Sequence, residues 1–384
     1  MTPICLYKGL TAAAIIILGS INCICTGQSE TRKKLSLLFI GDIMGHKEQI
    51  WAAENKESRS YDYDSVFTYI RYAISEADIA IANLEVTLAG SPYNGYPIFS
   101  SPAALATACK NAGIGFMVTA NNHAADRGAK GIAETIRRLD SIAIQHTGTF
   151  ISSAERERLY PFMLMKNGIS LALLNYTYGT NVDIAEESVI VNIIDKDIID
   201  EDIKKARSRN PDIIIVFLHW GIEYVSAPAK SQYDIAGHLF TAGADIVIGS
   251  HPHVLQKMVW LKSAPPGKGR VAVYSLGNFV SNQRRRGTEG GAMARIEITK
   301  EDTSCYISDA GYYLTWVYSP GEKQSKRFFV LPCSEYENKQ SFFSEPSQHI
   351  RMKQFINESR SVLYKQNINF YEIIFNGSSW LLNF

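Results

Sequence analysis

Short apolar runs alternate along this chain with polar or glycine-rich loops and with stretches whose apolar residues recur at helical spacing. Residues 35–40 predict a buried strand ending at Gly41-Asp42, and residues 79–82 a second ending at Asn83-Leu84-Glu85. Between them Val66, Tyr69, Ile70 and Ala73 fall on one side of a helix expected over 65–76. A helix over 103–111 leads to a strand over 115–119 that ends at Asn121-Asn122-His123, and a helix over 131–139 leads to a strand near 142–147. A strand over 171–175 is followed by a charged helix over 197–209, in which Glu201 and Lys205 stand four residues apart, the spacing of a stabilising pair. Pro211 stops that helix, and the β-branched run 213–218 predicts a strand ending at His219-Trp220-Gly221. A helix over 232–242, with Gly243 as its cap, precedes the strand 246–248 and then His251-Pro252-His253. Strand, loop and helix in this order predict an α/β fold with largely parallel central strands.

After a strand at 271–274 the pattern changes. Aromatic and β-branched residues alternate over 291–298, 312–318 and 327–331, and 347–364 predicts one closing helix. These boundaries give a core over 28–300 and a C-terminal α+β extension, 301–384, packed on it. The last fifteen or so residues, aromatic and Asn-rich, carry no assignable pattern. At the other end Lys8 precedes an apolar run over 10–21, too short to span a bilayer comfortably but fitting a secretory signal core. Cys25-Thr26-Gly27 supplies small residues at a cleavage site before Gln28, so residues 1–27 are expected to be a signal peptide and the protein periplasmic or cell-surface. An uncleaved N-terminal anchor is the competing reading, as is lipid attachment at Cys23 or Cys25, although the residues before either match a lipobox poorly.

Composition narrows the function classes. An apolar share of 46% with 20% charged residues is that of a globular chain, which excludes global disorder. Lys and Arg total 39 against 38 Asp and Glu, so there is no basic field to hold a nucleic acid. Of six cysteines, Cys5, Cys23 and Cys25 lie in the signal segment. Cys109, Cys305 and Cys333 are too few and scattered for a disulfide framework or a zinc knuckle. Cys305 and Cys333 could pair were their strands neighbours, and Cys109 reads as a small buried apolar residue.

The chemistry-bearing residues sit where strands give way to loops, the place at which open α/β sheets build their sites. Asp42, Glu85, Asn122 with His123, His219, and His251 with His253 each follow an apolar run. Carboxylate, amide oxygen and imidazole without thiolate suit one or two divalent cations of the Mn, Fe or Zn kind. A carboxylate can bridge two such ions, and His123 is then free to act as a general acid. Taken singly, Asp42 reads as a turn or cap residue and Asn122 as an Asx-turn residue; as an ordered set of strand ends they read as a site. Trp220 and Tyr178 either line the cleft or belong to the core rim. His146, His238 and His349 match no motif and read as structural or surface residues.

The ordered motifs Gly41-Asp42-Ile43-Met44, Asn83-Leu84-Glu85, Asn121-Asn122-His123-Ala124-Ala125-Asp126-Arg127-Gly128, His219-Trp220-Gly221-Ile222-Glu223-Tyr224, Gly249-Ser250-His251-Pro252-His253-Val254-Leu255-Gln256 and Ser275-Leu276-Gly277-Asn278-Phe279 resemble those of the CapA family, the bacterial capsule or poly-γ-glutamate biosynthesis proteins related to calcineurin-like metallophosphoesterases. The resemblance covers roughly residues 35–300. It implies a four-layer α/β/β/α metallophosphoesterase-like sandwich. It further implies that Asp42 and His253 bind a first metal, that Glu85 bridges, that Asn122, His219 and His251 bind a second, and that His123 donates a proton. Asp42 and His123 are thus the candidate catalytic residues. Glu223, Tyr224, Gln256, Ser275 and Asn278 are candidates for substrate contact.

Two positions depart from the wider superfamily. Met44 stands where a His usually follows the first Asp by two residues, and Glu85 is one methylene longer than the usual bridging Asp. The expectation is one firm metal at Asn122, His219 and His251, with the other site open; His46 is misplaced by two residues. The run Arg284-Arg285-Arg286 reads as a solvated face or, near a metal cleft, as a lure for an anionic envelope polymer such as poly-γ-glutamate, with Arg284 the candidate contact. The resulting expectation is an exported metal-dependent, phosphoesterase-like hydrolase of capsule or envelope polymer metabolism, working beside membrane-bound capsule synthesis proteins. The alternatives are a non-catalytic polymer-binding component of the capsule machine and a metal-dependent γ-glutamyl amidase.

Overall fold

Alternate side chains of the first strand, β1 (Lys33–Ile43), enter two different cores: Leu35, Leu37 and Phe39 one, Leu38 and Ile40 another. That is the two-residue period of a strand covered on both faces. In this computed structural model, which describes residues 1–2, 32–184, 188–264, 267–322 and 325–383, β2 (Ile79–Leu84) and β3 (Phe116–Val118) run parallel beside β1. The signal segment expected over 1–27 lies outside the described residues except for its first two. A second sheet holds β4 (Ile169–Thr177), β5 (Ile213–His219), β6 (Ile246–Ser250) and the strand Arg270–Val273, all parallel.

Leu171, Leu173, Ile215, Phe217 and Ile248 share one apolar cluster with Leu37, Phe39 and Phe116, so the two sheets pack face to face. The opposite side chains of each sheet are covered by helices. Leu105, Ala106 and Cys109 of α1 (Ala104–Asn111) pack with Leu38, Ile40 and Ala82. Ile199 and Ile203 of α2 (Lys196–Ser208), with Ala236 and Leu239 of α3 (Lys230–Ala242), cover Leu174, Val216 and Leu218. Helix, sheet, sheet, helix is the four-layer α/β/β/α sandwich that the motifs imply. Gly243 takes a left-handed φ of 117° at the end of α3, as its expected cap role requires.

Four elements differ from expectation. Residues 301–384 do more than pack on the core. The strand Ser304–Tyr318 pairs along its length with Gly290–Glu301, and Phe329–Pro332, Tyr371–Phe375 and Trp380–Asn383 extend the larger sheet to ten strands. The helix expected over 65–76 is instead a 3-10 turn, Asp64–Phe67, and a short helix, Arg71–Ser75. Val66, Ile70 and Ala73 are buried as the pattern required, Tyr69 is only partly buried and Phe67 is buried in addition, while three i to i−3 bonds tighten the chain between them. Lys205 donates to the carboxylate of Glu157 rather than to Glu201. Cys305 and Cys333 are free, as is Cys109. The pairing Thr315↔Pro332 sets Cys333 about nine residues along the strand from Cys305, roughly 30 Å, far beyond disulfide reach.

Because the central strands of each sheet are parallel, their C-terminal ends lie along one edge. Asp42 stands beside Asn83 and Asn278 in register, and His219 beside Ser250. The strand β7 (Asn278–Val280) that makes the second contact with Asp42 is only three residues long. Gly41 is needed here, since a Cβ on it would meet the Gly277 carbonyl oxygen.

Candidate metal centre

The loops after these strand ends bring Asp42, Glu85, Asn122, His219, His251 and His253 together, every one of them buried. Among the described residues, Glu85, His219 and His251 each hold a donor atom within 4.8 Å of the others, and so do Asp42, Glu85 and His253. Glu85 is common to both groups. His219 Nε2 lies 2.8 Å from Asn122 Oδ1 and 3.5 Å from Glu85 Oε1. His253 Nδ1 lies 3.2 Å from Asp42 Oδ2, and its Nε2 3.9 Å from Glu85 Oε1.

Neighbours fix these side chains. Asn83 donates to Asp42 Oδ1 at 2.8 Å and is itself approached by Asn121, which also holds the Leu84 carbonyl. Ser250 Oγ lies 3.1 Å from His219 Nδ1, and Asn278 Oδ1 lies 3.1 Å from His253 Nδ1. A proton on each Nδ1, held by those oxygens, leaves each Nε2 lone pair turned toward Glu85, the arrangement that outer contacts impose on ligating imidazoles. His251 and His253 adopt left-handed φ values of 100° and 57°, a backbone strain that persists only where surrounding contacts over-determine it.

The donor set fits a divalent cation. Both oxygens of Glu85 and Nδ1 of His251 are buried without a hydrogen-bond partner. Native interiors rarely leave such atoms unsatisfied. Burial, then the Asp42 carboxylate, pushes Glu85 well above the ordinary carboxylate range. Burial and the neighbouring imidazoles push His219 well down, and burial followed by His253 brings His251 to about 4. Both histidines are therefore neutral, the form in which imidazole ligates metal.

His123 stands beside this cluster without joining either group. Its Nδ1 holds Asp126 Oδ2 at 2.8 Å, and Phe99 packs edge-on against its ring at 4.7 Å. Asp126 accepts from the Phe99 amide as well, so acid and ring are locked together. Nε2 is left facing Asn181 at 3.5 Å.

Met44 and His46 resolve differently. Met44 is buried core packing, and its carbonyl accepts from Gln49. His46 does not take the missing ligand place: its Nδ1 lies 3.2 Å from Gln49 Oε1 and accepts from the Asn282 amide at 3.3 Å. Burial holds His46 down to about 4. An unfolded histidine takes up its proton near 6.5, so between the two values the unfolded chain binds more protons, and stability is lost as pH falls from 6.5 to about 4. The loss is expected to be on the order of 3 kcal/mol. Urea midpoints at pH 7 and pH 4.5 should converge between wild type and His46→Asn as the pH drops; a gap independent of pH would refute the assignment.

The expected substrate contacts divide. Glu223 and Tyr224 are on the rim, and the Tyr224 ring lies 5.9 Å from that of His253. Gln256 and Ser275 are wholly buried and spent on the fold: Gln256 bonds Gln232 and the Val225 carbonyl, and Ser275 bonds the Val254 carbonyl and the Gly277 amide. Asn278, also buried, positions His253 rather than substrate. Arg284 turns inward over Phe328, and Arg286 pairs with Glu358, whereas Arg285 is exposed and lies over the Tyr224 ring at 4.4 Å. Of the three arginines, Arg285 rather than Arg284 is the one placed beside Tyr224. Trp220 is core, stacked on Tyr274, while Tyr178 is half exposed with its ring 4.7 Å from His251. His146, His238 and His349 each bond a local oxygen away from the centre. Asn83, Ser250 and Asp126 are positioning residues that sequence reasoning left without a role. All three lie in the quoted motifs or beside a strand end, which was their only signal.

A model of the family described as Bacterial capsule synthesis protein PGA_cap matches residues 36–283. The capsule biosynthesis protein CapA of Bacillus anthracis is 27% identical over 285 residues, 71% of this chain and 66% of that protein, just under two thirds of its length. The PGA biosynthesis protein CapA of Bacillus subtilis strain 168 is 29% identical over 294 residues, 72% of this chain and 73% of that protein. Among solved structures, a novel phosphatase of Mycoplasma pneumoniae aligns with a TM-score of 0.44 at 14% identity, covering 73% of this chain and 93% of that one. A 5'-nucleotidase from Candida albicans aligns at 0.38 and 10% identity, covering 85% and 58%.

Proposed function

The chain belongs to the bacterial capsule synthesis protein PGA_cap family, and from that premise we propose that it is an exported, metal-dependent hydrolase acting on an anionic envelope polymer of the poly-γ-glutamate kind. The observation that carries this reading is Glu85, a buried carboxylate without a donor, shared by two clusters of imidazole and carboxylate. Asp42, Glu85 and His253 would hold one ion, and Glu85, Asn122, His219 and His251 another. Bound there, a divalent cation supplies Lewis acidity and a nucleophile at neutral pH.

The chain's own residues do the rest. His123, oriented by Asp126, would deliver a proton from Nε2 to the departing group. Asn83, Ser250 and Asn278 hold the ligating side chains in one orientation. Tyr224 carries Arg285 to the mouth, where its planar guanidinium suits carboxylate or phosphate. Export is supported by the apolar run over 10–21, and N-terminal sequencing of the protein from fractionated cells tests it: a mature chain starting at Gln28 is expected, and an intact Met1 in the cytoplasmic fraction would refute it.

The test of activity uses metal-loaded protein offered γ-linked glutamate oligomers and phosphodiesters in parallel, with products identified by mass spectrometry. Cleavage of either, lost in His123→Ala, supports a hydrolase and names the bond. A metal-loaded protein that binds polymer but cleaves neither favours the second reading, a non-catalytic component of the capsule machine, to which buried Met44 in place of a ligand lends weight.

Arg285→Ala is expected to raise the KM or Kd for the anionic polymer about tenfold, the value of one charge-assisted hydrogen bond, with kcat unchanged. Arg286→Ala, whose charge is already paired with Glu358, should change neither. Titrations at low and high salt check the assignment, since only Arg285→Ala should flatten the salt dependence.

A further inference from the structure

Beyond the segment matched by the family, the loop that follows Gln283 and α4 (Pro346–Gln366) border a half-open cavity of about 150 Å³. Arg284, Glu289, Arg351 and Phe355 line it, with the Arg286–Glu358 pair at its side. Arg284 donates from Nη1 to its neighbour's carbonyl at 3.0 Å, but its Nη2 is sealed from solvent and has no partner. Glu289 Oε1 stands 3.7 Å from Arg351, while Oε2 is also sealed and also without a partner. Two side chains that line one cavity thus each keep one buried polar atom unsatisfied, at a penalty in each case. Burial and Arg351 together lower the Arg284 pKa to about 10, which still leaves it charged at neutral pH.

A plain anion would satisfy Arg284 and repel Glu289, and a cation would do the reverse. A ligand that satisfies both must offer an oxygen acceptor and an N–H donor side by side. We infer that this cavity is a binding site for a carboxylate with an adjacent N–H group, the chemistry of an α-amino acid or of one unit of a peptide-like polymer. Arg284 and Arg351 would take the carboxylate and Glu289 the N–H. Arg351, 44% exposed, gives the entrance a second cation. The site does not rest on the hydrolase reading, because none of its residues belongs to the metal centre.

The test is calorimetric titration of the full, metal-loaded chain with L-glutamate and with glutarate, which has the same two carboxylates and no amine. Wild type is expected to bind L-glutamate at least ~10-fold more tightly than glutarate. Arg284→Gln should bind neither measurably. Glu289→Gln should lose the preference, binding glutarate as well as or better than glutamate, an inversion that no carboxylate contact at the metal centre would produce. That variant decides the matter even if Arg284→Gln fails to fold. A γ-linked glutamate dimer that binds more tightly than the free acid assigns the site to a polymer, and the reverse order assigns it to the amino acid. Equal affinity of wild type for glutamate and glutarate, or binding untouched by Glu289→Gln, would overturn the inference, as would no binding by wild type.

Discussion

Glu85→Gln is expected to act in opposite directions with and without metal. In metal-free protein, Glu85 and Asp42 are two carboxylates in a site sealed from water, and neither oxygen of Glu85 has a donor. Burial and that neighbour raise the Glu85 pKa well above 4.5. An unfolded Glu ionises near 4.5 whereas the folded one does not, so the unfolded state binds fewer protons as pH rises, and wild-type stability falls above that pH. Glutamine keeps the shape and removes the charge. The chelated variant should therefore equal wild type near pH 4 and exceed it at pH 8, by about 1–3 kcal/mol. With metal present the order reverses. A cation supplies the partner that both carboxylates lack, and the amide binds it more weakly, by at least the ~10–100-fold that disturbing a ligand's surroundings typically costs. Metal content after dialysis should drop, and the thermal shift on adding metal should shrink with it. Metal content and thermal shift equal to wild type would remove Glu85 from the centre.

The sequence carried the sandwich because its signals are local. Apolar runs of strand length alternating with amphipathic stretches leave few arrangements, and parallel strands must end on one edge. Convergence of Asp42, Glu85, Asn122, His219, His251 and His253 follows from that edge, since each stands at or just past the end of an apolar run. Side-chain direction is another matter. Ser275 and Gln256 sit in motif positions as conspicuous as those of the histidines, yet their hydroxyl and amide close bonds inside the fold. Three successive arginines look alike in a sequence. The loop sends Arg284 inward, Arg285 onto Tyr224 and Arg286 to Glu358, and only the partners tell them apart. The C-terminal strands are present where the alternation places them, but alternation marks a strand and not its neighbour, and the pairing of Ser304–Tyr318 with Gly290–Glu301 depends on register that no local pattern encodes.

His123→Ala is expected to lower kcat by roughly 10²–10⁴-fold on a substrate with a poor leaving group, while metal content is unchanged. The separation of effects follows from placement. His123 lies outside both ligand groups, so its removal leaves the donors intact, but it takes away the imidazole that Asp126 and Phe99 hold in place. A general acid matters in proportion to how badly the departing group needs a proton. With an activated leaving group such as p-nitrophenolate, the same variant should lose about tenfold or less. Asp126→Asn should fall between, because Nδ1 keeps an oxygen partner but no longer faces a charge that stabilises the protonated ring. Equal losses on good and poor leaving groups would instead make His123 a residue that binds or shapes the site. Loss of metal in step with activity would make it part of the ligand shell.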